Sequence, residues 1–129
     1  MDKQEKLIYE VAHHNIESVK EAIREGCNIN YRSKSDNKTY LHVAVINFDV
    51  EITKLLIEAG AEIDCIDNNM NTPLMYAVGQ KNSRLCEIAK YLIKKGADLD
   101  LKLRKYSTRE LIQMFEDDEL LQFIEDGNY

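Results

Sequence analysis

The side chains of this sequence that could bind a metal ion are three histidines, three cysteines and an acidic run. His13 and His14 are adjacent, and adjacent residues on a helix point in different directions, so the pair does not converge on one ion. No carboxylate or cysteine joins the pair at ligand spacing. The acidic run, residues 116–119, lacks the alternating oxygen ligands and the glycine of a calcium loop, and it is typical of a solvated helix start. We therefore expect no metal site and no cofactor.

The sequence also lacks the motifs that carry catalysis. It contains no Gly-x-Ser-x-Gly elbow, no glycine-rich phosphate loop followed by lysine, and no His-Glu-x-x-His pair. These motifs would place a nucleophile, a phosphate cradle or a catalytic metal, and without them no reaction site is indicated. We therefore expect a protein that is not an enzyme and that takes no small-molecule substrate.

The three cysteines, Cys27, Cys65 and Cys86, are odd in number and contain no Cys-x-x-Cys pair. They predict neither a disulfide framework nor a thiolate zinc site, and they favour a reducing compartment. The polar start of the chain has no apolar run of signal-peptide length, and no stretch approaches the roughly 20 apolar residues of a membrane span. We therefore expect a soluble, cytoplasmic protein with no membrane contact.

The chain has 129 residues, which fits one domain large enough to bury a core without disulfides. Its 23 acidic and 17 basic side chains give a net charge of −6. A negative domain is repelled by the nucleic-acid backbone, so the charge favours a protein partner, in particular a basic one. One proline and five glycines argue against a disordered linker. We expect a single stand-alone domain that is monomeric when free.

The elements that would position any site follow a repeat. Gly26, Gly60 and Gly96 each close an apolar helical stretch, and they stand 34 and 36 residues apart. Each glycine leads into a small residue, a polar residue, an aliphatic residue and an Asn or Asp: these are residues 27–30, 61–64 and 97–100. Self-similarity at such a period is the signature of a repeat architecture.

Each repeat predicts two helices. Apolar residues at helical spacing predict the second helix: they are Val19, Ala22 and Ile23, then Ile52, Leu55, Leu56 and Ala59, then Leu85, Ile88, Ala89, Leu92 and Ile93. A shorter first helix is expected at about residues 5–13, 40–47 and 73–80. In the third unit, Thr72 and Pro73 suit a helix start, because Thr can cap free N–H groups and Pro tolerates the first helical position. Gly96 suits a helix end.

These phrases resemble the ankyrin repeat family. Residues 39–44 (TYLHVA) and 72–77 (TPLMYA) match its Thr-Pro-Leu-His-x-Ala phrase, the first without the Pro and the second without the His. Residues 55–61 (LLIEAGA) and 91–97 (YLIKKGA) match its Leu-Leu-x-x-Gly-Ala phrase. The resemblance covers nearly the full chain. It implies an all-α solenoid of stacked helix-turn-helix units joined by short β-turn fingers.

The units differ in length. Counted from the alanine of the first helix to the closing glycine, the second unit spans 16 residues, the third 19 and the first 14. The excess predicts an inserted loop around residues 81–84, which could form a contact. The deficit predicts a shortened junction at residues 14–16.

The resemblance also suggests roles for single residues. His42, with Thr39, is implied to be part of the hydrogen-bonded turn rather than a catalytic site. Cys27 takes the place of the alanine that follows the glycine, and we expect it to be small and buried. Cys65 is expected to be more exposed, near a loop tip.

The last segment is expected to close the stack as a degenerate fourth repeat. Ser107 and Glu110 form a capping-box signature, and acidic residues 116–119 suit the start of a further helix. The whole chain, 1–129, is then one domain. Its units are an atypical first repeat at about 1–30, repeats at 36–64 and 67–100, and the closing repeat at 101–129.

The resemblance implies that the fingers and the exposed side of the first helices make a concave surface that binds a partner protein. The residues expected on this surface are Tyr31, Arg32, Lys34, Asn37, Lys38, Ile46, Asn47, Ile66, Asn68, Asn69, Met70, Asn71, Gln80, Lys81, Lys102, Arg104, Lys105 and Tyr106. Arg and aromatic side chains are enriched among interface anchors. An exposed Ile66 and Met70 would add apolar contact area.

The sequence therefore favours a non-catalytic protein–protein interaction module that acts as an inhibitor, adaptor or scaffold. An alternative is a small bacterial immunity protein that neutralises a toxin, which the Lys-, Ile-, Asn- and Glu-rich composition and the compact domain motivate. A nucleic-acid-associated adaptor is a further alternative: two basic fingers favour it, and the net charge of −6 opposes it.

Overall fold

The structure, a computed structural model, describes residues 2–127 and 129 and is helical. The described residues form eight α-helices and no strand. In chain order they are α1 (Lys3–Ala12), α2 (Ile16–Arg24), α3 (Tyr40–Ile46), α4 (Val50–Glu58), α5 (Pro73–Ala77), α6 (Ser83–Lys94), α7 (Thr108–Met114) and α8 (Asp118–Asp126). The expected all-α class is confirmed.

The helices are arranged in two layers. The first helices α1, α3 and α5 pack side by side, and the second helices α2, α4, α6 and α8 pack in the same order. The core contains fully buried side chains such as Val11, Tyr40, Ile52, Leu92 and Ile112. Each pair thus buries apolar surface against the next pair, as in a solenoid. Across the described residues, none of the helices has the length and apolar character that a membrane span requires.

The first helices α3, α5 and α7 begin in the same way. Thr39, Thr72 and Ser107 each accept a hydrogen bond from the backbone N–H three residues on, which satisfies a free donor. In α7 the Ser107 N–H donates to the Glu110 carboxylate at 3.2 Å, so the predicted capping box is confirmed. Pro73 at the first position of α5 confirms the predicted start of that helix.

The closing glycines end the second helices, as predicted. α6 ends at Lys94, and Gly96 follows with a φ of 100°. α4 ends at Glu58, and Gly60 follows with a φ of 99°. Glycine adopts such angles without the steric clash of a Cβ, so the residue type is required by the turn.

The Asn or Asp that closes each repeated phrase joins neighbouring units. The Asn30 side-chain oxygen accepts the Glu62 N–H at 2.9 Å. The Asp64 carboxylate accepts the Asp98 N–H at 3.1 Å. In the first two phrases the side chain therefore satisfies a backbone donor in the next unit. In the third phrase, the Asp100 carboxylate instead accepts a hydrogen bond from the Arg109 guanidinium at 2.7 Å.

The third unit departs from the prediction. α5 ends at Ala77 rather than near residue 80, because Val78 is extended and Gly79 has a φ of 90°. α6 has 12 residues, whereas α2 and α4 have 9 each. The extra residues therefore lengthen the start of α6, and Ser83 and Arg84, which were expected in the loop, are helical.

The junction of the first pair is not shortened, so that prediction is wrong. Three residues separate α1 from α2, and three separate α3 from α4. His14 and Phe48 take equivalent places in these junctions, with φ of 57° and 60°. The distance from Ala12 to Gly26 is two residues shorter than that from Ala44 to Gly60 because the two alanines are not equivalent. Ala12 is the last residue of α1, whereas Ala44 lies two residues before the end of α3.

Two cysteines lie differently from expectation. Cys65 is 5% exposed, with its Sγ 3.3 Å from the Glu62 carboxylate, so the expected exposed thiol is wrong. Burial, followed by the Glu62 contact, raises the pKa of Cys65 to about 11. Cys27 is half-buried rather than buried, because it lines a cavity of about 580 Å³ between α1 and α2 together with Leu7 and Tyr40.

Gly79→Ala is expected to lower the free energy of unfolding by about 1–2 kcal/mol, because L-residues are strained at positive φ. The new Cβ would also lie 2.9 Å from Cε2 of Phe115. Urea unfolding measures the loss. Gly26→Ala is the matched control, since Gly26 has a φ of 77° and nothing within 4 Å of the added Cβ. A smaller loss at Gly79 than at Gly26 would contradict a role for the Phe115 contact.

Candidate protein-binding surface

Three loops between the helix pairs project as fingers. They are finger 1 (residues 31–38), finger 2 (66–71) and finger 3 (101–106). Finger 1 closes where the Ser33 N–H donates to the Lys38 carbonyl at 2.9 Å. Finger 2 closes where the Asp67 N–H donates to the Asn71 carbonyl at 3.1 Å. Each of these two turns is therefore held by its own backbone.

Two arginines join neighbouring fingers. Arg32 of finger 1 donates to the Ile66 carbonyl at 2.7 Å, and Arg104 of finger 3 donates to the Asn71 side-chain oxygen at 2.6 Å. A guanidinium has five N–H donors, and each arginine uses one of them here. Both side chains therefore fix the spacing of the fingers and keep donors for a partner.

A buried ionic cluster lies beneath fingers 1 and 2. The Asp67 side chain has no exposed surface. Its carboxylate accepts the Tyr76 hydroxyl at 2.5 Å and the Asn71 N–H at 3.0 Å. The Lys38 ammonium lies 3.2 Å from the same carboxylate, and the Lys38 side chain is 15% exposed. Lys38, expected at a finger tip, therefore points inward.

The cluster stabilises the charged form of both groups. Burial raises the pKa of the Asp67 carboxyl, but hydrogen bonds from Tyr76, Asn71 and Lys38 outweigh burial, and the pKa lies below its usual value. Burial lowers the pKa of Lys38, but Asp67 outweighs it, and the pKa lies above its usual value. The pair is ionised at neutral pH and ties finger 1 to finger 2.

His42 is fully buried and connects α3 to finger 2. Its Nε2–H donates to the Asn71 carbonyl at 2.9 Å, and its Nδ1 accepts the Thr39 N–H at 3.2 Å. Burial lowers the pKa of His42, and this effect exceeds the opposing bond to Asn71. The ring is therefore neutral at pH 7, and its geometry matches the structural role that the sequence implied.

His13 and His14 do not form a pair. The His14 Nδ1–H donates to the Asp49 carboxylate at 2.5 Å, whereas His13 donates to the Tyr9 carbonyl at 2.8 Å and stacks on the Tyr9 ring. Asp49 also caps α4 by accepting the Ile52 N–H. Within residues 2–127 and 129, no group of three or more metal-ligating side chains is found.

We expect His14 and His42 to titrate on opposite sides of pH 6.5 in NMR spectra of the imidazole protons. The hydrogen bond to Asp49, and then its charge, raise the pKa of His14. His14 therefore adds stability below pH 6.5 that is lost as pH rises through its folded pKa. His42, with its lowered pKa, adds stability above pH 6.5 that is lost as pH falls. Asp49→Asn, which keeps a capping side chain, should return His14 toward 6.5; an unchanged titration would contradict the pairing.

The residues expected to bind a partner do not all face outward. The exposed ones are Arg32, Lys34, Ile46, Asn47, Asn68, Asn69, Met70, Gln80, Lys81, Lys102, Arg104 and Lys105. The half-buried ones are Tyr31, Asn37, Lys38, Ile66, Asn71 and Tyr106. The Tyr31 ring stacks on the Tyr40 ring with centroids 6.0 Å apart, so it packs against the core. The exposed set, rather than the full set, is available to a partner.

Sequence reasoning missed three exposed apolar side chains. Tyr9 of α1, Met114 of α7 and Phe115, which follows α7, are each more than half exposed. No second helix in the described residues carries a large hydrophobic side chain of comparable exposure. A signal was present for Met114 and Phe115: they are adjacent and follow the buried Ile112, so the turn of the helix carries them off the core face.

The comparison with known families agrees with this architecture. The family model described as "Ankyrin repeats (3 copies)" matches residues 7–102. The matched region contains the first three helix pairs, from within α1 to the start of finger 3. The fourth pair, α7 and α8, lies beyond the matched region.

Several proteins are similar in sequence. BRCA1-associated RING domain protein 1 of Caenorhabditis elegans is 33% identical over 113 residues, covering 87% of this chain and 15% of that protein. An ankyrin repeat protein of Borreliella burgdorferi is 30% identical over 106 residues, covering 82% of this chain and 46% of that protein. I-Kappa-B like protein C2 of Microplitis demolitor bracovirus is 31% identical over 85 residues, covering 65% of this chain and 45% of that protein. The chain spans less than half the length of each of these relatives. The chain belongs to the ankyrin repeat family, whose repeats generally mediate protein–protein interaction.

Proposed function

We propose that the chain is a non-catalytic module that binds a partner protein on its binding face, meaning fingers 1–3 together with the first helices α1, α3, α5 and α7. The observation that supports this most is the position of the exposed apolar side chains. Five of the six exposed large hydrophobic side chains of the described residues lie on or directly beside this face: Tyr9, Ile46, Met70, Met114 and Phe115, which are between 37% and 60% exposed. The sixth, Tyr129, follows α8. Apolar side chains gathered on one face mark interaction surfaces.

The binding face is preformed. The arginine bridges, the Lys38–Asp67 ion pair and the His42 hydrogen bond hold fingers 1 and 2 in place before a partner arrives. A rigid surface loses little conformational entropy on docking, so more of the contact free energy appears as affinity. Such a module acts by occupying or presenting its partner, as an inhibitor, adaptor or scaffold.

Affinity capture followed by mass spectrometry tests this function. The purified chain is the bait in a lysate of its source cells, and a second bait carries Ile46→Ser and Met114→Ser. Because both residues are exposed, the double variant is expected to fold and to recover at least about tenfold less partner. A captured toxin whose activity the chain blocks would make it an immunity protein.

The matched control bait carries Glu87→Ser and Gln122→Ser, two exposed changes on α6 and α8. It should capture the partner as well as the unchanged chain does. Equal recovery by all three baits would mean that the partner docks elsewhere, and would refute the binding face. A bait that recovers no specific partner from its own source would refute the proposed function itself.

A further inference from the structure

The charge of the chain is unevenly distributed. The fingers and the first helices that follow them, residues 31–46, 66–77 and 101–114, carry seven basic and three acidic side chains, a net charge of +4. The remaining residues carry ten basic and 20 acidic side chains, a net charge of −10, and the two parts give the −6 of the whole chain. Charges more than about 8–10 Å apart are largely screened at physiological salt. A partner on this face therefore meets positive charge.

Part of this positive charge has no acidic neighbour. Lys38 is paired with Asp67, and Lys102 lies 3.6 Å from the Glu110 carboxylate. Among the described residues of the fingers and of the first helices that follow them, the following three basic side chains form no ion pair: Arg32, Arg104 and Lys105. All three are exposed, and they remain available to carboxylates of another molecule.

A cavity of about 240 Å³ opens on the same face, between fingers 2 and 3. Its apolar lining is formed by Met70, Met75 and Leu111 with the Tyr106 ring, and Arg104 and Lys105 stand beside it. The Lys105 ammonium lies 5.4 Å from the centroid of the Tyr106 ring. One wall of the cavity is thus apolar and another is cationic, which suits a ligand that carries both characters.

Met75 gives the physical reason for the opening. It holds the place in α5 that His42 holds in α3, and its sulfur accepts the Thr72 N–H at 3.4 Å, as the His42 ring accepts the Thr39 N–H. A thioether has no N–H, so Met75 cannot donate to finger 3 in the way that His42 donates to finger 2. The methionine leaves an apolar space where the preceding unit has a hydrogen bond.

Resting on the proposed function, we propose that this cavity, with Arg104 and Lys105, is a docking site for an acidic segment of the partner protein. An apolar side chain of that segment enters the cavity between Met75 and Leu111. Flanking Asp or Glu carboxylates form ion pairs with Arg104 and with the Lys105 ammonium. The planar guanidinium of Arg104 can donate two parallel hydrogen bonds to one carboxylate. The net charge of the whole chain, −6, favours a basic partner. The charge beside the cavity is positive, however, and this local charge decides that the docked segment is acidic.

Selection from a random dodecapeptide library displayed on phage tests the site. The immobilised chain is expected to enrich peptides in which Asp or Glu flank a large apolar residue. A synthetic copy of an enriched peptide then gives dissociation constants by fluorescence anisotropy. Arg104→Glu with Lys105→Glu should weaken its binding at least about tenfold. Met75→His, which leaves the formal charge of the face unchanged at pH 7, should also weaken it, because the imidazole replaces an apolar wall of the cavity with a polar N–H that can bond finger 3 as His42 bonds finger 2.

The matched control is Lys94→Glu with Lys95→Glu, which changes the net charge by the same amount at the end of α6. It should change the dissociation constant by less than about twofold, because both residues lie off the binding face. Circular dichroism confirms that the three variants are folded. Binding should also weaken as salt is raised from low to physiological concentration.

Four results would overturn the proposal. The first is no enrichment, or enrichment of basic or uncharged peptides. The second is equal binding of the acidic peptide to the Arg104/Lys105 variant. The third is that the chain binds an oligothymidine of about twenty nucleotides but no peptide, and that the Arg104/Lys105 variant abolishes this binding. That result would assign the cations to a nucleic-acid backbone. The fourth comes from affinity capture: the bait with Ile46→Ser and Met114→Ser loses the partner, whereas a bait with Arg104→Glu and Lys105→Glu keeps it. In that case protein binding stands and the acidic docking site fails.

Discussion

Asp67→Ala is expected to lower the free energy of unfolding by about 3 kcal/mol, because it breaks a buried ion pair and leaves its partners without an acceptor. Lys38 would keep its charge at a site where it is only 15% exposed. The N–H groups of Asn69 and Asn71 would each lose a hydrogen bond of 2.9 or 3.0 Å to the carboxylate. For a chain of this length the melting temperature should fall by about 10 °C. Calorimetry and urea unfolding measure both quantities.

Two further variants separate the ion pair from a general surface effect. Glu87→Ala removes an exposed pair with Lys54 at 3.7 Å and should change stability by less than about 1 kcal/mol. Asp67→Ala combined with Lys38→Met should recover part of the loss, because no unpaired ammonium is left behind. A loss below about 1 kcal/mol in Asp67→Ala would mean that solvent already screens the pair.

The effect of Asp67 should also depend on pH. Its pKa is lower in the folded chain than the usual value, so the unfolded chain takes up the proton first as pH falls. The stability that Asp67 provides is present above about pH 4 and is lost as pH falls through its folded pKa. The difference between the unchanged chain and Asp67→Ala should therefore narrow below pH 4. A difference that grows in acid would contradict the ion pair.

The fold could be predicted from the sequence because its signals are local. Gly96 ends a helix through its own backbone angle, and Ser107 begins one by bonding a residue only three positions away. The apolar spacing within α6 likewise reports burial on one face of a single helix. These features repeat at a nearly constant spacing, so the helix pair predicted in one unit supports the helix pairs predicted in the others.

The details of the binding face could not be predicted in the same way, because they depend on distant residues. Lys38 and Asp67 are 29 positions apart, and only the stacking of fingers 1 and 2 makes the pair buried. Cys65 looked exposed from its place near a loop, but the neighbouring structure covers it. The substitution of Met75 for a histidine was visible in the sequence, whereas the cavity that accompanies it required finger 3 to be placed.

Leu56→Ala is expected to lower the free energy of unfolding by about 3 kcal/mol, which a shifted urea midpoint would measure. Leu56 is 1% exposed in α4, which packs between α2 and α6. Removal of its side chain leaves a cavity in the middle of the stack, and the neighbouring pairs on both sides lose contact area. Hydrogen exchange should therefore speed up throughout the helices rather than in α4 alone.

Leu120→Ala is the matched comparison, because Leu120 is also fully buried but lies in α8, in the fourth helix pair. In a stacked array each pair contacts only its neighbours, so the loss should be concentrated in α7 and α8, where exchange should rise while α3 and α4 stay protected. Equal acceleration in all helices would show instead that the chain unfolds as one unit. Because α7 supplies Leu111 to the cavity beside finger 3, local opening of this pair should also weaken the acidic peptide in proportion to the fraction opened.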